Sequence, residues 1–339
     1  MSIDTKNMNN DEFVVFCYNW VIKKQPDQEN QKAYKAALDA GNITREELLI
    51  ELLTSDYNRR VLAASEFVPH GHFYSALPSG EDRVEFLRNR SFPDALPAID
   101  TNEKGQLALL EEFKAYYAEC PFPEEKTEGI RYYFENQSYG YTDAIILYSM
   151  IRHARPERII EVGSGYSSCV ILDTIDRFFD GQVGVTFVEP FPGVLHSLIS
   201  GEDAGRHSII EQKLQDVDLA MFQALEADDI LFIDSTHVSK LQSDVNRLVF
   251  DILPCLKPGV LIHIHDIIWP FDYPDVWVKE GKAWNEAYIL RAFLEYNRAF
   301  EIVFFSSYIT SRHRDWFHAH MPQCLKNTGG NIWLKKVAE

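Results

Sequence analysis

The chain has 339 residues, and its 33 Lys and Arg against 51 Asp and Glu leave a formal net charge of −18. That balance counts against nucleic acid as a partner, because neutralising phosphates needs a net basic face. A hydrophobic share of 46% with 13% aromatics excludes a disordered chain, and the length suggests about two domains of roughly 150 residues. The five cysteines (Cys17, Cys120, Cys169, Cys255, Cys324) stand singly, with no C-x-x-C pair. This argues against a disulfide framework or zinc ribbon and for a reducing compartment. The polar start MSIDTKNMNNDEF lacks a signal-peptide apolar region, and no apolar run approaches the ~20 residues of a membrane span. A soluble cytoplasmic protein without a membrane span is the expectation.

Residues 11 to about 65 read as helical. Phe13, Phe16 and Trp20, then Tyr34, Ala37 and Leu38, recur at helical spacing. Gln25-Pro26-Asp27 and Ala40-Gly41-Asn42 punctuate them, and Thr44-Arg45-Glu46-Glu47 forms a capping box. Residues 66–130 are rich in Pro, Gly and aromatics, and read as a loop-rich connector or lid carrying His72 and Tyr74. From 131 the pattern changes. Apolar strand-like runs at 158–163, 183–190, 207–214, 229–235, 259–267, 300–307 and 331–337 alternate with helical stretches that include 166–178, 238–253 and 284–298. Nearly continuous apolar strands alternating with helices predict a doubly wound, mostly parallel sheet, with ligands at the carboxyl ends of its strands. The domains expected are thus 1–65 (helical), 66–130 (connector or lid) and 131–339 (α/β).

The strongest local signal is Arg158-Ile-Ile-Glu161-Val-Gly163-Ser164-Gly165-Tyr-Ser-Ser168: a strand, a Gly-rich turn and a helix start. Gly163 and Gly165 let the backbone approach a ligand, and the helix N-terminus offers free N–H groups. As a dinucleotide fingerprint it is poor, because Ser168 stands at the third Gly position. Glu161 would repel a pyrophosphate but suits the cationic α-amino end of S-adenosylmethionine. Glu189 ends the second strand, where a carboxylate accepts ribose hydroxyls. Asp216 is counted with this cofactor set, alongside Ser164.

On these residues, 131–339 resembles the class I S-adenosylmethionine-dependent methyltransferases. YYFENQSYGYTDAIILYSMIRHARPERIIEVGSGYSS, DILFIDSTHVSK and GGNIWLKK resemble a bacterial small-molecule and glycan branch. The N-terminal segment is similar to a helical module of unknown function that accompanies surface-glycan and secreted-protein genes. The resemblance implies a Rossmann-like, seven-stranded α/β sheet with the last strand antiparallel, plus a small all-α N-terminal domain.

Asp234-Ser-Thr-His237 closes the fourth strand, and His263-Ile-His265-Asp266 closes the fifth. Period-two alternation puts His263 and His265 on one side. This cluster resembles metal-dependent sugar O-methyltransferases. Carried over, Asp234 and Asp266 are metal ligands, with His265 beside them, and His237 is the general base. His265 replaces a carboxylate of that family, which shifts metal preference from Mg²⁺ toward transition ions. A base has a physical rationale, since an attacking alcohol must lose its proton and imidazole titrates near neutral pH. Tyr139, His263, Trp269 and Tyr273, with His72 and Tyr74, are the candidate substrate or lid residues.

The sequence thus points to methyl transfer from S-adenosylmethionine to a small-molecule or glycan hydroxyl, with a divalent metal of unassigned identity as a second expected cofactor. A transition-metal enzyme on the same fold and a non-catalytic adapter stay open as alternatives, as does a homo-oligomer.

Overall fold

The structure is a computed structural model that describes residues 8–22, 25–55 and 67–338. The chain divides into two compact units, residues 1–86 and 87–339. No helix among the described residues is long and apolar enough to cross a membrane.

In the first unit, helices span Asn10–Cys17 (continued as a wider turn to Ile22), Gln28–Asp39 and Arg45–Thr54. The capping box at Thr44 forms as the sequence predicts: Glu47 N–H donates to the Thr44 hydroxyl, and Thr44 N–H donates to the Glu47 carboxylate at 2.8 Å. Phe13, Val14, Cys17, Val21, Leu48 and Leu52 bury a small core of their own. The Trp20 side chain and the helical expectation over 56–65 lie outside what is described.

The second unit is built on seven strands: β1 (Arg158–Val162), β2 (Gly184–Val188), β3 (Ser208–Ile210), β4 (Ile230–Ile233), β5 (Leu261–His265), β6 (Phe300–Phe305) and β7 (Asn331–Lys336). Their order is β3-β2-β1-β4-β5-β7-β6. β7 runs antiparallel to β5 and β6, while the β1, β2, β3, β4 and β5 pairings are parallel. This is the predicted doubly wound α/β sheet with an antiparallel last strand. The order reverses between β1 and β4, so the carboxyl ends of β1, β2, β4 and β5 form one continuous rim. Apolar strands buried on both faces explain the near-continuous hydrophobic runs; β4 is buried throughout. The helix Tyr141–Ala154 is buried from Tyr141 to Ile151, and Tyr166–Phe178 from Ser167 to Ile175.

Two elements differ from the sequence reading. The helix expected over 238–253 starts only at Asp244, because residues 234–243 form a loop held by side chains. Residues 66–130, read as loop-rich, contain the helices Gly80–Asn89 and Glu103–Ala118. The second of these guards the sheet edge. Gln106 is fully buried; its Oε1 accepts from Phe305 N–H at 2.8 Å and its Nε2 donates to the Thr101 carbonyl at 2.6 Å. Asn102 Nδ2 donates to the Ile302 carbonyl at 3.1 Å. Aromatic and Leu positions alone do not reveal this, since the helix docks through amide groups as well as Leu109, Leu110 and Phe113.

Replacing Gln106 with Leu keeps the volume but orphans the Phe305 N–H and the Thr101 carbonyl. Each orphaned buried group costs about 1–3 kcal/mol. Urea denaturation of Gln106→Leu is expected to show a loss of that order, with an unchanged m-value.

Candidate functional site

The Gly-rich turn after β1 is shaped first by packing. Gly163 has φ +80°, and a Cβ there would lie 1.9 Å from the Asp234 carbonyl oxygen. Asp234 N–H donates to the Val162 carbonyl at 2.8 Å, so the ends of β1 and β4 are locked together at this point. Gly165 is different: a Cβ there would meet nothing within 4 Å, because the position faces open space. The turn therefore keeps one glycine for the sheet and one beside a cavity.

Glu161 is completely buried beneath this turn. Its two oxygens accept from the Ser167 and Ser168 hydroxyls at 2.6 Å each, and Ser168 Oγ in turn accepts from Gly165 N–H at 3.1 Å. Burial pushes the carboxyl up to about 8, against the pull of the two hydroxyls. Glu161 thus holds the turn from below and does not appear among the cavity-lining residues.

Two cavities, of about 510 and 390 Å³, open along the rim. Tyr139, Ser164 and Gly165 line the larger, Leu214 and Gln215 the smaller, and Gly163, Glu189, Asp234 and Ser235 line both. Glu189 is held in place by the Phe191 N–H at 2.8 Å and the Ser164 N–H at 3.3 Å. Asp216 is exposed, and its neighbours Leu214 and Gln215 occupy the wall instead. Tyr139 is fixed by Asn136, whose Oδ1 accepts its N–H at 2.7 Å, and by the Tyr132 hydroxyl, which donates to its carbonyl at 2.7 Å. The Tyr139 hydroxyl itself is buried without a partner among the described residues, as is Ser164 Oγ.

Beside the cavities, Asp234, His237 and Asp266 bring one ligand-type atom each to within 4.8 Å of one another. His237 Nε2 lies 3.3 Å from Asp234 and 3.5 Å from Asp266. The sequence set of Asp234, His265 and Asp266 differs by one residue: His265 Nε2 stands 3.7 Å from Asp266, but the compact triplet contains His237. His237 and Asp266 both adopt left-handed backbone, at φ +61° and +56°. Such strain in non-glycine residues persists where the surroundings over-determine it. The loop carrying His237 is pinned by Asp244, whose carboxylate accepts from Thr236 N–H at 3.0 Å, and by Asn285, whose Oδ1 accepts from Ser239 N–H at 2.6 Å.

Sequence reasoning did not assign Glu286. Its carboxylate meets His237 Nδ1 at 2.8 Å, and Trp284 lies 4.4 Å from the imidazole ring. Burial alone would lower the His237 pKa, but Asp234, Glu286 and Asp266 outweigh it and push the group up to about 10. Burial raises Asp266 and Glu286 above the usual carboxylate range. Burial also acts to raise Asp234, yet the neighbouring His265 and His237 hold it below its ordinary value.

The remaining candidates lie elsewhere. His263 is fully buried, its ring flat against Phe232 at 4.1 Å and edge-on to Trp333 at 4.9 Å, and burial holds it well below its ordinary pKa. His263 and His265 do share a side, with rings 5.7 Å apart, but only His265, at the end of the strand, comes near the rim, its ring 5.1 Å from that of Tyr139. Trp269 is a core residue that donates from its indole to the Pro93 carbonyl at 3.2 Å. Tyr273 is buried, and its hydroxyl accepts from Ala287 N–H at 3.0 Å, capping the helix that bears Glu286. These three are therefore scaffold where the sequence suggested substrate contacts. His72 and Tyr74 belong to the first unit, where Tyr74 N–H donates to His72 Nδ1 at 3.1 Å.

The His237 shift carries a stability signature. The folded protein binds more protons than the unfolded chain between the ordinary value of 6.5 and about 10. The stabilisation is complete below the lower value and is lost as pH rises through the upper one. His237→Gln is expected to flatten the fall of Tm across that window, as measured by thermal denaturation at pH 6, 8 and 10.

Comparison with known proteins adds family evidence. Residues 160–267 match a family model described as a methyltransferase domain, and residues 3–61 match one described as a domain of unknown function. An uncharacterized protein of Archaeoglobus fulgidus is 32% identical over 166 residues, which cover 47% of this chain and 73% of that protein. Among solved structures, the methyltransferase PaMTH1 of Podospora anserina, bound to SAH, is 13% identical with a TM-score of 0.38, covering 77% of this chain and 98% of its own. The O-methyltransferase TomG of Streptomyces achromogenes, in complex with SAM, is 13% identical with a TM-score of 0.38, covering 71% and 92%. Both structural likenesses are remote. By the archaeal match the chain belongs to the same family as that protein, and by its residues 160–267 it carries a methyltransferase domain.

Proposed function

We propose that the chain is an S-adenosylmethionine-dependent methyltransferase that O-methylates a hydroxyl of a small molecule or glycan. One observation carries this reading. Two cavities share a wall of Gly163, Glu189, Asp234 and Ser235 at the strand ends, and His237 Nε2 lies 3.3 Å from that same Asp234. Bound there, S-adenosylmethionine would supply an activated methyl group. The open position at Gly165 leaves room for such a ligand, and the unpartnered Ser164 hydroxyl offers it a polar contact. The carboxylate of Glu189 suits ribose hydroxyls, and that of Asp234 suits a cationic centre.

His237 is the base in this reading. Its Nδ1 is engaged by Glu286, which leaves Nε2 to take the acceptor's proton. The three carboxylates push the pKa of the ring up to about 10. A cation arriving beside Asp234 opposes that hold and lowers the pKa toward the range where imidazole works as a base.

A second reading is favoured by the triplet of Asp234, His237 and Asp266 within 4.8 Å. One imidazole nitrogen and two carboxylates suit a transition ion such as Mn²⁺ or Zn²⁺. The two readings compete for one atom, because Nε2 cannot hold a cation and accept a proton at once.

Calorimetric titration with S-adenosylmethionine is expected to show saturable binding that Glu189→Ala weakens at least about tenfold, the equivalent of one charged hydrogen bond. Absence of binding to the wild type would overturn the cofactor assignment. With an acceptor found in a panel of hexoses, aminohexoses and phenols, His237→Ala is expected to lower kcat by about 10²- to 10⁴-fold and leave cofactor affinity intact. Chelation decides between the two readings: turnover that survives EDTA supports His237 as base, and turnover restored only by Mn²⁺ or Zn²⁺ makes it a ligand.

A further inference from the structure

We infer that Glu286 is a positioning residue for His237, acting through Nδ1 to aim Nε2 at the reacting hydroxyl. The inference rests on His237 acting as the base.

Glu286 stands where a carboxylate is costly to place. Glu286 as a whole is 3% exposed, and an ionised carboxylate in such surroundings is costly unless it is paired. Its close partner is His237 Nδ1 at 2.8 Å; the Ser235 hydroxyl, at 3.5 Å, is at the limit of a hydrogen bond. A neutral side chain of similar size would fill the space without that cost.

The same turn holds His237 in several independent ways. Asn285 and Glu286 N–H groups donate to the His237 carbonyl at 3.1 and 3.2 Å. Trp284 packs on the imidazole at 4.4 Å. Asn285 also ties the loop at Ser239, where its Nδ2 donates to the carbonyl at 3.2 Å. Residues 284–286 thus fix the backbone, the ring plane and the position of Nδ1. Left-handed backbone at His237, φ +61°, is maintained by these contacts. The nine-residue helix Glu286–Leu294 is itself anchored by the Tyr273 hydroxyl.

The chemistry follows from the donor count of imidazole. With the Nδ1 proton donated to Glu286, the neutral ring carries its lone pair at Nε2. During transfer, the acceptor O–H bond breaks and its proton goes to Nε2. The acceptor oxygen forms a bond to the methyl carbon, while the carbon–sulfur bond breaks and its electron pair stays on sulfur. The Glu286 carboxylate beside Nδ1 stabilises the imidazolium that results.

The test combines kinetics with spectroscopy on the full chain. Glu286→Gln can still accept a hydrogen bond but has lost the charge, and is expected to lower kcat on the order of 10- to 100-fold. KM for the acceptor and affinity for S-adenosylmethionine are expected to stay within about twofold. Glu286→Asp is expected to recover part of kcat. Combining Glu286→Gln with His237→Ala is expected to be no slower than His237→Ala alone, because the two act as one unit. Wild-type kcat in Glu286→Gln alongside a crippled His237→Ala overturns the inference, and additive losses in the double variant do so as well. Full turnover in His237→Ala instead overturns the base reading. Proton NMR of the wild type, selectively ¹⁵N-labelled at histidine, decides independently of acceptor or variant folding. A downfield, exchange-protected His237 Nδ1 proton supports the contact, and a ring with Nδ1 bare overturns it.

Discussion

Gly163 and the carbonyl of Asp234 approach so closely that no side chain fits between them. The site depends on that contact. It brings the end of β1 against the end of β4, so that the Gly-rich turn and the Asp-x-x-His loop share one rim. Glu161 secures the turn from below through Ser167 and Ser168, and Glu189 secures it from the side through Ser164 N–H. The glycine usually credited to a ligand is required here by the sheet, and Gly165 is the one that leaves space.

The electrostatics of the rim follow from that convergence. Asp234, Asp266 and Glu286 crowd a single imidazole, and each carboxylate would be costly to bury alone. Together they push the His237 pKa up to about 10, which favours positive charge on the ring. A sulfonium or a metal ion can substitute for part of that positive charge. The two proposed readings thus differ in which cation meets these carboxylates. The acidity of the whole chain adds little to this, since much of it lies on exposed side chains.

The fold was legible because buried parallel strands write themselves as apolar runs. All seven runs proposed from sequence contain a strand, although β3 is only three residues long and the helix after β4 starts late. Glu161, Gly163, Glu189, Asp234 and His237 were legible as candidates because they lie at or next to strand ends, although Glu161 sits beneath the turn, outside both cavities. Glu286 was not, because it is 49 residues from His237 and sits at the start of a helix where acidic residues are ordinary. Its signal was present only as Trp284-Asn285-Glu286 at a helix start, three residues that meet His237 after folding. The histidines of β5 show the opposite limit. Alternation correctly put His263 and His265 on one side, but it carries no information on whether that side faces a ligand or the core. Trp269 and Tyr273 misled for a similar reason: aromatic residues beside a rim serve packing as well as recognition.

The hydrogen bonds between the side chains of Asn102 and Gln106 and β6 bear on how the protein meets copies of itself. β6 is the last strand of the sheet, and an uncovered last strand is a template for pairing with another chain. At Ile302 and Phe305 that template is already taken by side chains of the preceding segment. A fragment trimmed to begin at residue 131 would keep every rim residue discussed above, yet expose this edge to any neighbouring strand. Residues 102–106 thus do for the far edge of the sheet what a further strand would do, and their removal would compromise solubility as well as the packing of Leu110 and Phe113.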